Sequence, residues 1–419
     1  MLIGIDDTDS QHGMCTTYLG AVLKTALERQ LRENVRLHLV RLNPTIRFKT
    51  RGNAAVGITT QSSCGVKDIV QAHIEDMACL HDENTHPGAV FIDRDTPPLD
   101  IQHFSHEAIR RELDISYAVK LIERNNVDFL AYKKGRGLIG ALAAAGATLG
   151  KEDHTYELIT YRYAQNHKKQ RYINRESIYR ADKVTYPYTW DTIDHKNSAI
   201  VFSPRSQDPV LYGIRGDDPY HVFAAHSKII SEPYEYMVLY VTNQGTDKHV
   251  QHEQIDALTE GCSYALTGTI TTAPWAIEGG HIFFQIGEQQ RTLRCVAFEP
   301  TKQFRAAVRK LCEGDRVVVQ GSFIKDCLHL EKLRVVELQD QFKGINPMCC
   351  NKRMKSRGKG KGFKCVRCKT IKRHSDTQDI PITREIELGT YEVVPSARRH
   401  LAKPLIRDRC VRHPIFPSR

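Results

Sequence analysis

The chain has 419 residues, 41% of them hydrophobic and 26% charged, with a formal net charge of +11. That balance excludes a wholly disordered, a collagen-like or a membrane-embedded chain, and about 150 residues per domain gives roughly three domains. The charge is uneven: residues 341–419 hold 20 Lys and Arg against 6 Asp and Glu, while the first 340 residues hold 40 against 43, which points to a polyanion partner, nucleic acid first. The opening MLIGIDDTDS has no basic leader, and no stretch reaches the ~18 apolar residues of a membrane span, so a cytoplasmic protein is expected.

In chain order, a short strand over residues 2–5 runs into an acidic turn. TTYLGAVLKTALERQL then places Leu19, Val22, Leu23, Ala26 and Leu27 at helical spacing. VRLHLVRL (35–42) alternates like a strand and stops at Asn43-Pro44, and a basic loop leads to another strand over 54–60. Helices fit 67–80 and 105–123, with a strand over 89–93 between them. An Ala-rich helix follows Gly135-Arg136-Gly137, then strands over 156–163, 209–216 and 236–242 and a helix over 219–230. Residues 264–338 read as five short strands with one helix between the third and fourth, the pattern of an OB-fold, though another small barrel has the same periodicity. Trp275, Phe283, Phe284, Phe298 and Phe323 are available to stack bases, but alternating Phe residues also fill barrel cores. Residues after Thr370 read as a loosely packed extension.

Asp6, Asp7 and Asp9 leave the end of a strand just before a helix start. Carboxylates there can hold Mg²⁺, and the helix N-terminus behind them, with Thr16 and Thr17, suits a phosphate. The plainer reading is an Asp-rich turn capping its own backbone, at the cost of crowding three negative charges. Lys49, Arg51, Gly52 and Asn53 form a candidate anion clamp. Cys349, Cys350, Cys365 and Cys368 suggest zinc. The second pair is a CxxC knuckle, but the first two are adjacent and would point apart in extended backbone; Cys410 and His413 are further candidates. The other cysteines read as small apolar residues. There is no Walker motif, GxGxxG or HExxH.

The order IDDTDS, GMCTTYL, RLNPTI, KTRGN, GRGLIGALAA, YELITYR, PVLYGIRG, an OB-like barrel and KRMKSRGKGKGFKCVRC resembles the archaeal isoleucine-tRNA 2-agmatinylcytidine synthetase family from about residue 4 to residue 369. The resemblance implies a multidomain α+β fold: a kinase-like α/β ATP/Mg domain (1–134), a ferredoxin-like, agmatine-binding domain (135–258), an OB-fold barrel (259–340), a zinc ribbon (341–375) and a basic C-terminal extension (376–419). It implies an ATP-dependent ligase that attaches agmatine to C2 of the wobble cytidine, position 34, of the isoleucine tRNA with a CAU anticodon, after phosphoryl activation of the C2 oxygen. The cofactors implied are ATP, Mg²⁺ and Zn²⁺. Asp6, Asp7 and Asp9 match the family's metal and phosphate carboxylates and Thr16 its catalytic threonine. Lys49, Arg51, Gly52 and Asn53 fall in its KTRGN, and Gly213 and Arg215 in its substrate-binding GIRG. Thr189-Trp190-Asp191 stands where Phe-Asp-Asn is usual. The alternatives are a non-catalytic OB and zinc-ribbon nucleic-acid-binding protein, or a related RNA-base modification with another amine.

Overall fold

The computed structural model describes residues 1–419 apart from His12, Arg51 and Gln207. β1 (Leu2–Asp6) is the centre of the first half. Its alternating side chains serve two faces: Leu2 joins one apolar cluster, Ile3 and Ile5 the other. α1 (Thr16–Leu31) leads to β2 (Arg36–Arg41) and β3 (Ala54–Thr59), then α2 (Val66–Met77) and β4 (Gly88–Ile92). β3 and β4 flank β1 antiparallel. Leu19, Leu23 and Leu27 of α1 and Val70 and Ile74 of α2 bury one face.

The single helix expected over 105–123 is two helices, α3 (Leu99–Arg110) and α4 (Ile115–Arg124). Asp114 breaks the run: its carboxylate accepts the amide N–H of Ser116 at 2.7 Å, capping α4 afresh. The break turns residues 111–115 toward the cavity described below. β5 (Asp128–Ala131) pairs with β4, an edge strand that the periodicity left unmarked. α5 (Leu138–Ala145) lies across β1 and β4 at close range. A Cβ on Gly4 would meet the carbonyl oxygen of Ala141 at 1.8 Å, and one on Gly88 the amide nitrogen of Leu138 at 2.3 Å, so glycines are what let this helix sit on the sheet.

β6 (Thr155–Arg162), α6 (Arg175–Thr185), β7 (Thr189–Trp190), the small hairpin β8 (Ile193–Asp194) and β9 (Ala199–Ile200), β10 (Val210–Gly216), α7 (Pro219–His226) and β11 (Tyr234–Thr242) follow. They do not make a separate sheet. β11 pairs in parallel with β2, Val241 opposite His38 and Thr242 opposite Leu39, giving one nine-stranded sheet in the order β5-β4-β1-β3-β2-β11-β6-β10-β7. Ile159, Tyr161, Val238 and Tyr240 share an apolar cluster with Ile3 and Leu19, so the core crosses the junction.

β12 (Val250–Gln251) precedes the barrel of β13 (Ser263–Ala276), β14 (Ile282–Glu288), β15 (Arg291–Ala297), β16 (Arg316–Ile324) and β17 (Cys327–Glu337). It closes because β16 pairs with both β13 and β17 and β17 pairs in parallel with β15. α8 (Phe304–Val308) sits between the third and fourth strands, as expected. Phe284 is buried in the core; its neighbour Phe283 faces outward and stacks on Trp275 at 5.9 Å.

β18 (Gln341–Ile345) and β24 (Gln378–Ile382) form a two-stranded stalk. At its end stand the ribbon strands β19 (Met348–Cys349), β20 (Lys352–Arg353), β21 (Lys355–Ser356), β22 (Phe363–Lys364) and β23 (Ile371–Lys372). The expected loose extension is instead a strap. β25 (Gly389–Glu392) adds to the barrel beside β17, and β26 (Ile415–Phe416) pairs with β25. Arg398, 2% exposed, is held between Asp191 and Glu392, Arg407 pairs with Asp217 at 2.7 Å and Asp153 at 2.9 Å, and Arg419 with Asp182 at 2.7 Å. Thr189-Trp190-Asp191 is thus an anchor for the strap: Trp190 packs against Gly245, and Asp191 takes Arg398. Arg398, Arg399, Arg407, Arg409 and Arg419 of the strap pair with acidic residues of this chain, and the excess positive charge resides chiefly on residues 341–375, which hold 12 Lys and Arg and no Asp or Glu.

Candidate active site

One cavity of about 660 Å³ collects residues expected around the nucleotide, its metal and the substrate: Asp6, Asp7, Asp9, Thr16, Lys49, Gly52, Asn53, Gly213 and Arg215 all line it. Arg51 lies outside the described residues.

The acidic wall comes from the end of β1. Asp6 is packed under α5, and its carboxyl is pushed well above the ordinary carboxylate range, first by burial and then by Asp7 and Asp9. Asp7 holds a left-handed backbone, φ 59°, and accepts two hydrogen bonds from Arg136, at 2.8 and 3.1 Å. Its carboxyl is raised by burial, which Arg136 only partly offsets. Arg136 also donates to the carbonyl of Asn84 at 2.6 Å. Thr16 opens α1, and its hydroxyl accepts from the hydroxyl of Thr8 at 3.0 Å. No acidic side chain occupies the first turn of α1, so its positive end is available to an anion. Crowded carboxylates are a donor set that a hard divalent cation satisfies.

The basic wall faces them. Arg41 on β2 and Arg215 on β10 both reach Glu157 on β6, at 3.4 and 3.2 Å. Burial alone would raise the Glu157 carboxyl, but Arg215 and Arg41 outweigh it and hold the group below its usual range. Gly213 leaves the room: a Cβ there would lie 2.8 Å from Oε1 of Glu157. Lys49 donates to the carbonyl of Pro44, and Asn53 Nδ2 donates to the carbonyl of Asn43 at 3.0 Å, which ties the loop to the end of β2. Sequence reasoning did not single out Arg41, Arg136, Glu157 or His400. Arg136 and Glu157 lie inside the motifs GRGLIGALAA and YELITYR; His400 carries no local signal, since it enters the cavity from the strap.

The four ribbon cysteines also converge. Their sulfurs lie within 4.8 Å of one another, with Cys349 Sγ 3.4 Å from Cys368 Sγ and 3.9 Å from Cys350 Sγ. Extended backbone would part the adjacent pair, but Cys350 and Asn351 take φ 49° and 58°, a left-handed turn that gathers both thiols. The Thr370 hydroxyl and amide draw the Cys368 thiol down to about 6, while hydrogen bonding within the cluster raises Cys349 and Cys350; zinc would favour the thiolate at all four. Cys410 and His413 stand apart from this group; His413 is bonded to Thr390 at 2.9 Å. Among the described residues no helix is long and apolar enough to cross a membrane.

Comparisons with known proteins point to one family. The TiaS TCKD domain model matches residues 2–87, the TiaS FLD domain model residues 135–249, and the TiaS C-terminal zinc ribbon domain model residues 346–386. The chain is 44% identical to the isoleucine-tRNA 2-agmatinylcytidine synthetase TiaS of Methanosarcina acetivorans, over the whole of both chains. It is 44% identical to that of Archaeoglobus fulgidus over 97% of each. Among solved structures it resembles a complex of TiaS with its isoleucine tRNA and ATP, with a TM-score of 0.92 and 42% identity, covering 100% of this chain and 99% of the other. It resembles a complex of TiaS with the same tRNA, AMPCPP and agmatine, with a TM-score of 0.88 and 40% identity over the same shares.

Proposed function

The chain belongs to the isoleucine-tRNA 2-agmatinylcytidine synthetase family, and on that footing we propose that it uses ATP to join agmatine to C2 of the wobble cytidine of the CAU-anticodon isoleucine tRNA, in the cavity described above. The supporting observation is the pairing of an acidic wall with a basic one around about 660 Å³, room for a triphosphate end and an extruded base together. An unpaired loop base reaches such a pocket for a few kcal/mol or less.

The C2 oxygen of cytosine is a poor leaving group. Phosphorylating it makes it a good one, and an amine then displaces phosphate at C2. Phosphoryl transfer asks mainly for positioning and charge neutralisation. Asp6, Asp7 and Asp9 would hold Mg²⁺, which supplies charge neutralisation at the ATP phosphates. Thr16 places its hydroxyl at the positive end of α1. Arg41, Arg215 and Lys49 receive the negative charge that builds on the transferred group, and Arg136 holds the Asp7 side chain in place. The domain reading follows: ATP and Mg²⁺ on 1–134, a ferredoxin-like, agmatine-binding unit on 135–258, an OB-fold on 259–340 and a zinc ribbon on 341–375. The barrel and ribbon grip the tRNA by phosphates and stacked bases, and a cytoplasmic setting fits this substrate.

The test is mass spectrometry of the CAU-anticodon tRNA after incubation with protein, ATP, Mg²⁺ and agmatine. Wild-type protein adds agmatine to the wobble cytidine. Asp7→Ala adds none yet binds tRNA as before; turnover retained by this variant would overturn the site assignment.

A further inference from the structure

The amine of agmatine arrives as an ammonium ion, and a group in the cavity must take its proton before nitrogen can attack C2. Among the described residues the structure contains an imidazole nitrogen with no hydrogen-bond partner, and its protonation state follows from its neighbours.

Gln244 is fully buried and its side-chain amide lies between Glu157 and His400. The Glu157 carboxylate only accepts hydrogen bonds, so Gln244 turns its NH₂ toward Oε2 of Glu157. Its carbonyl oxygen therefore faces Nδ1 of His400, at 2.9 Å. A carbonyl also only accepts, so Nδ1 carries the hydrogen and Nε2 keeps a lone pair. A Cβ on Gly52 would stand 3.3 Å from Nε2; glycine at that place leaves the ring edge uncovered on the cavity wall.

We propose that His400, through Nε2, accepts the proton of the attacking agmatine amine. This deepens, and rests on, the reading of the cavity given above. The charged groups acting on the ring are Arg41 from β2, Arg215 from β10 and Lys49 from the loop before β3, with Glu157 of β6 on the far side of Gln244 and Arg399 next in the strap. Burial, then Arg41, Arg215 and Lys49, hold the imidazole well below its usual range, so it is neutral at neutral pH. These same cations attract the phosphorylated base. Its negative charge offsets theirs and raises the basicity of Nε2 when the activated base is in place.

In the step itself Nε2 first takes one of the three ammonium protons, and the lone pair this frees on nitrogen then forms the C–N bond at C2. The C2–O bond breaks and its electron pair leaves on phosphate. Nε2–H then passes its proton to the departing phosphate, which also takes the second proton from the newly attached nitrogen and leaves as dihydrogen phosphate; the third remains as the N–H of the product, whose base carries the positive charge. The histidine ends as it began.

The test is single-turnover product formation by wild type, His400→Asn and His400→Gln at saturating ATP, tRNA and agmatine, between about pH 6 and pH 9. At neutral pH the variants are expected to be slower by about 100-fold, the usual reach of general base catalysis. Their rates climb about tenfold per pH unit as solution base takes over, added imidazole restores part of the loss, and the aminooxy counterpart of agmatine, whose attacking nitrogen is uncharged at neutral pH, narrows the gap to wild type. A loss equal at every pH, unmoved by imidazole and equal for both nucleophiles, would overturn the proposal, as would variants that match wild type. Asp7→Ala run alongside separates the two readings: if it retains turnover the cavity assignment fails, whereas if it is inactive while the His400 variants match wild type, only the role of His400 fails. A second measurement needs no variant activity: in protein carrying ¹⁵N-labelled histidine, His400 is expected as the Nδ1–H tautomer at neutral pH, and an Nε2–H or charged ring would count against it.

Discussion

Gly140 stands directly over Asp6: a Cβ on Gly140 would lie 1.8 Å from Oδ2 of the carboxylate. The Ala-rich helix α5 is thus the lid under which the first acid of the site is stored, and no side chain larger than hydrogen fits there.

Gly140→Ala is expected to push the Asp6 carboxylate out of place and to remove turnover, with a stability loss of about 1–3 kcal/mol for the overpacked neighbourhood. Gly150→Ala is the control, because a Cβ there meets nothing within 4 Å. Product formation and a denaturant melt of both variants check this. An active, folded Gly140→Ala protein would show that Asp6 has no fixed position in the reaction.

Arg398 ties the strap to two buried carboxylates, Asp191 and Glu392, 4% and 1% exposed. Removing the guanidinium leaves both unpaired, at a cost of about 3–5 kcal/mol. Arg398→Ala is therefore expected to unfold at markedly lower urea, and Arg398→Lys to recover only part of the difference, since lysine lacks the planar fork. Equal midpoints for wild type and Arg398→Ala would contradict this.

Glu157 makes stability depend on pH. Its folded-state pKa lies below the ordinary 4.5, so the unfolded chain binds the proton more tightly. The contribution is present above pH 4.5 and is lost as pH falls through the depressed folded value. Glu157→Gln should be less stable at neutral pH and should lose less on acidification. Urea midpoints followed from neutral to acid pH read both effects; parallel curves would mean that Glu157 does not set acid stability.

Metal removal should act locally. The ribbon meets the barrel through the β18–β24 stalk, so stripping zinc with a chelator is expected to melt residues 346–377 while the main unfolding transition stays put. Excising those residues leaves the strap in place, since Ile345 and Gln378 are paired across the stalk. Either change should weaken tRNA binding and flatten its salt dependence, by about 0.7–0.9 in the log–log slope for each phosphate no longer neutralised. An unchanged slope would place the tRNA-binding surface elsewhere.

Much of this was legible in sequence where local rules decide. Alternation marked β2, β6, β10, β11 and the barrel strands, and the crowding of Asp6, Asp7 and Asp9 marked the acidic wall. Three features were not legible, each for a physical reason. Asp114 breaks 105–123 by capping a second helix, a choice that apolar spacing does not record. The basic tail looked like free charge because its partners Asp153, Asp182, Asp191 and Asp217 are distant in sequence. His400 joins the site only because the strap returns to it, and a lone histidine far from every motif carries no period or spacing to read.

The parallel pairing of Val241 with His38 has a practical corollary. Cutting the chain between residues 134 and 135 and separating the two parts would bare the hydrogen-bonding edges of β2 and β11 together, edges ready to pair with another strand. Either part made alone is expected to self-associate through that edge, whereas the two made together cover it.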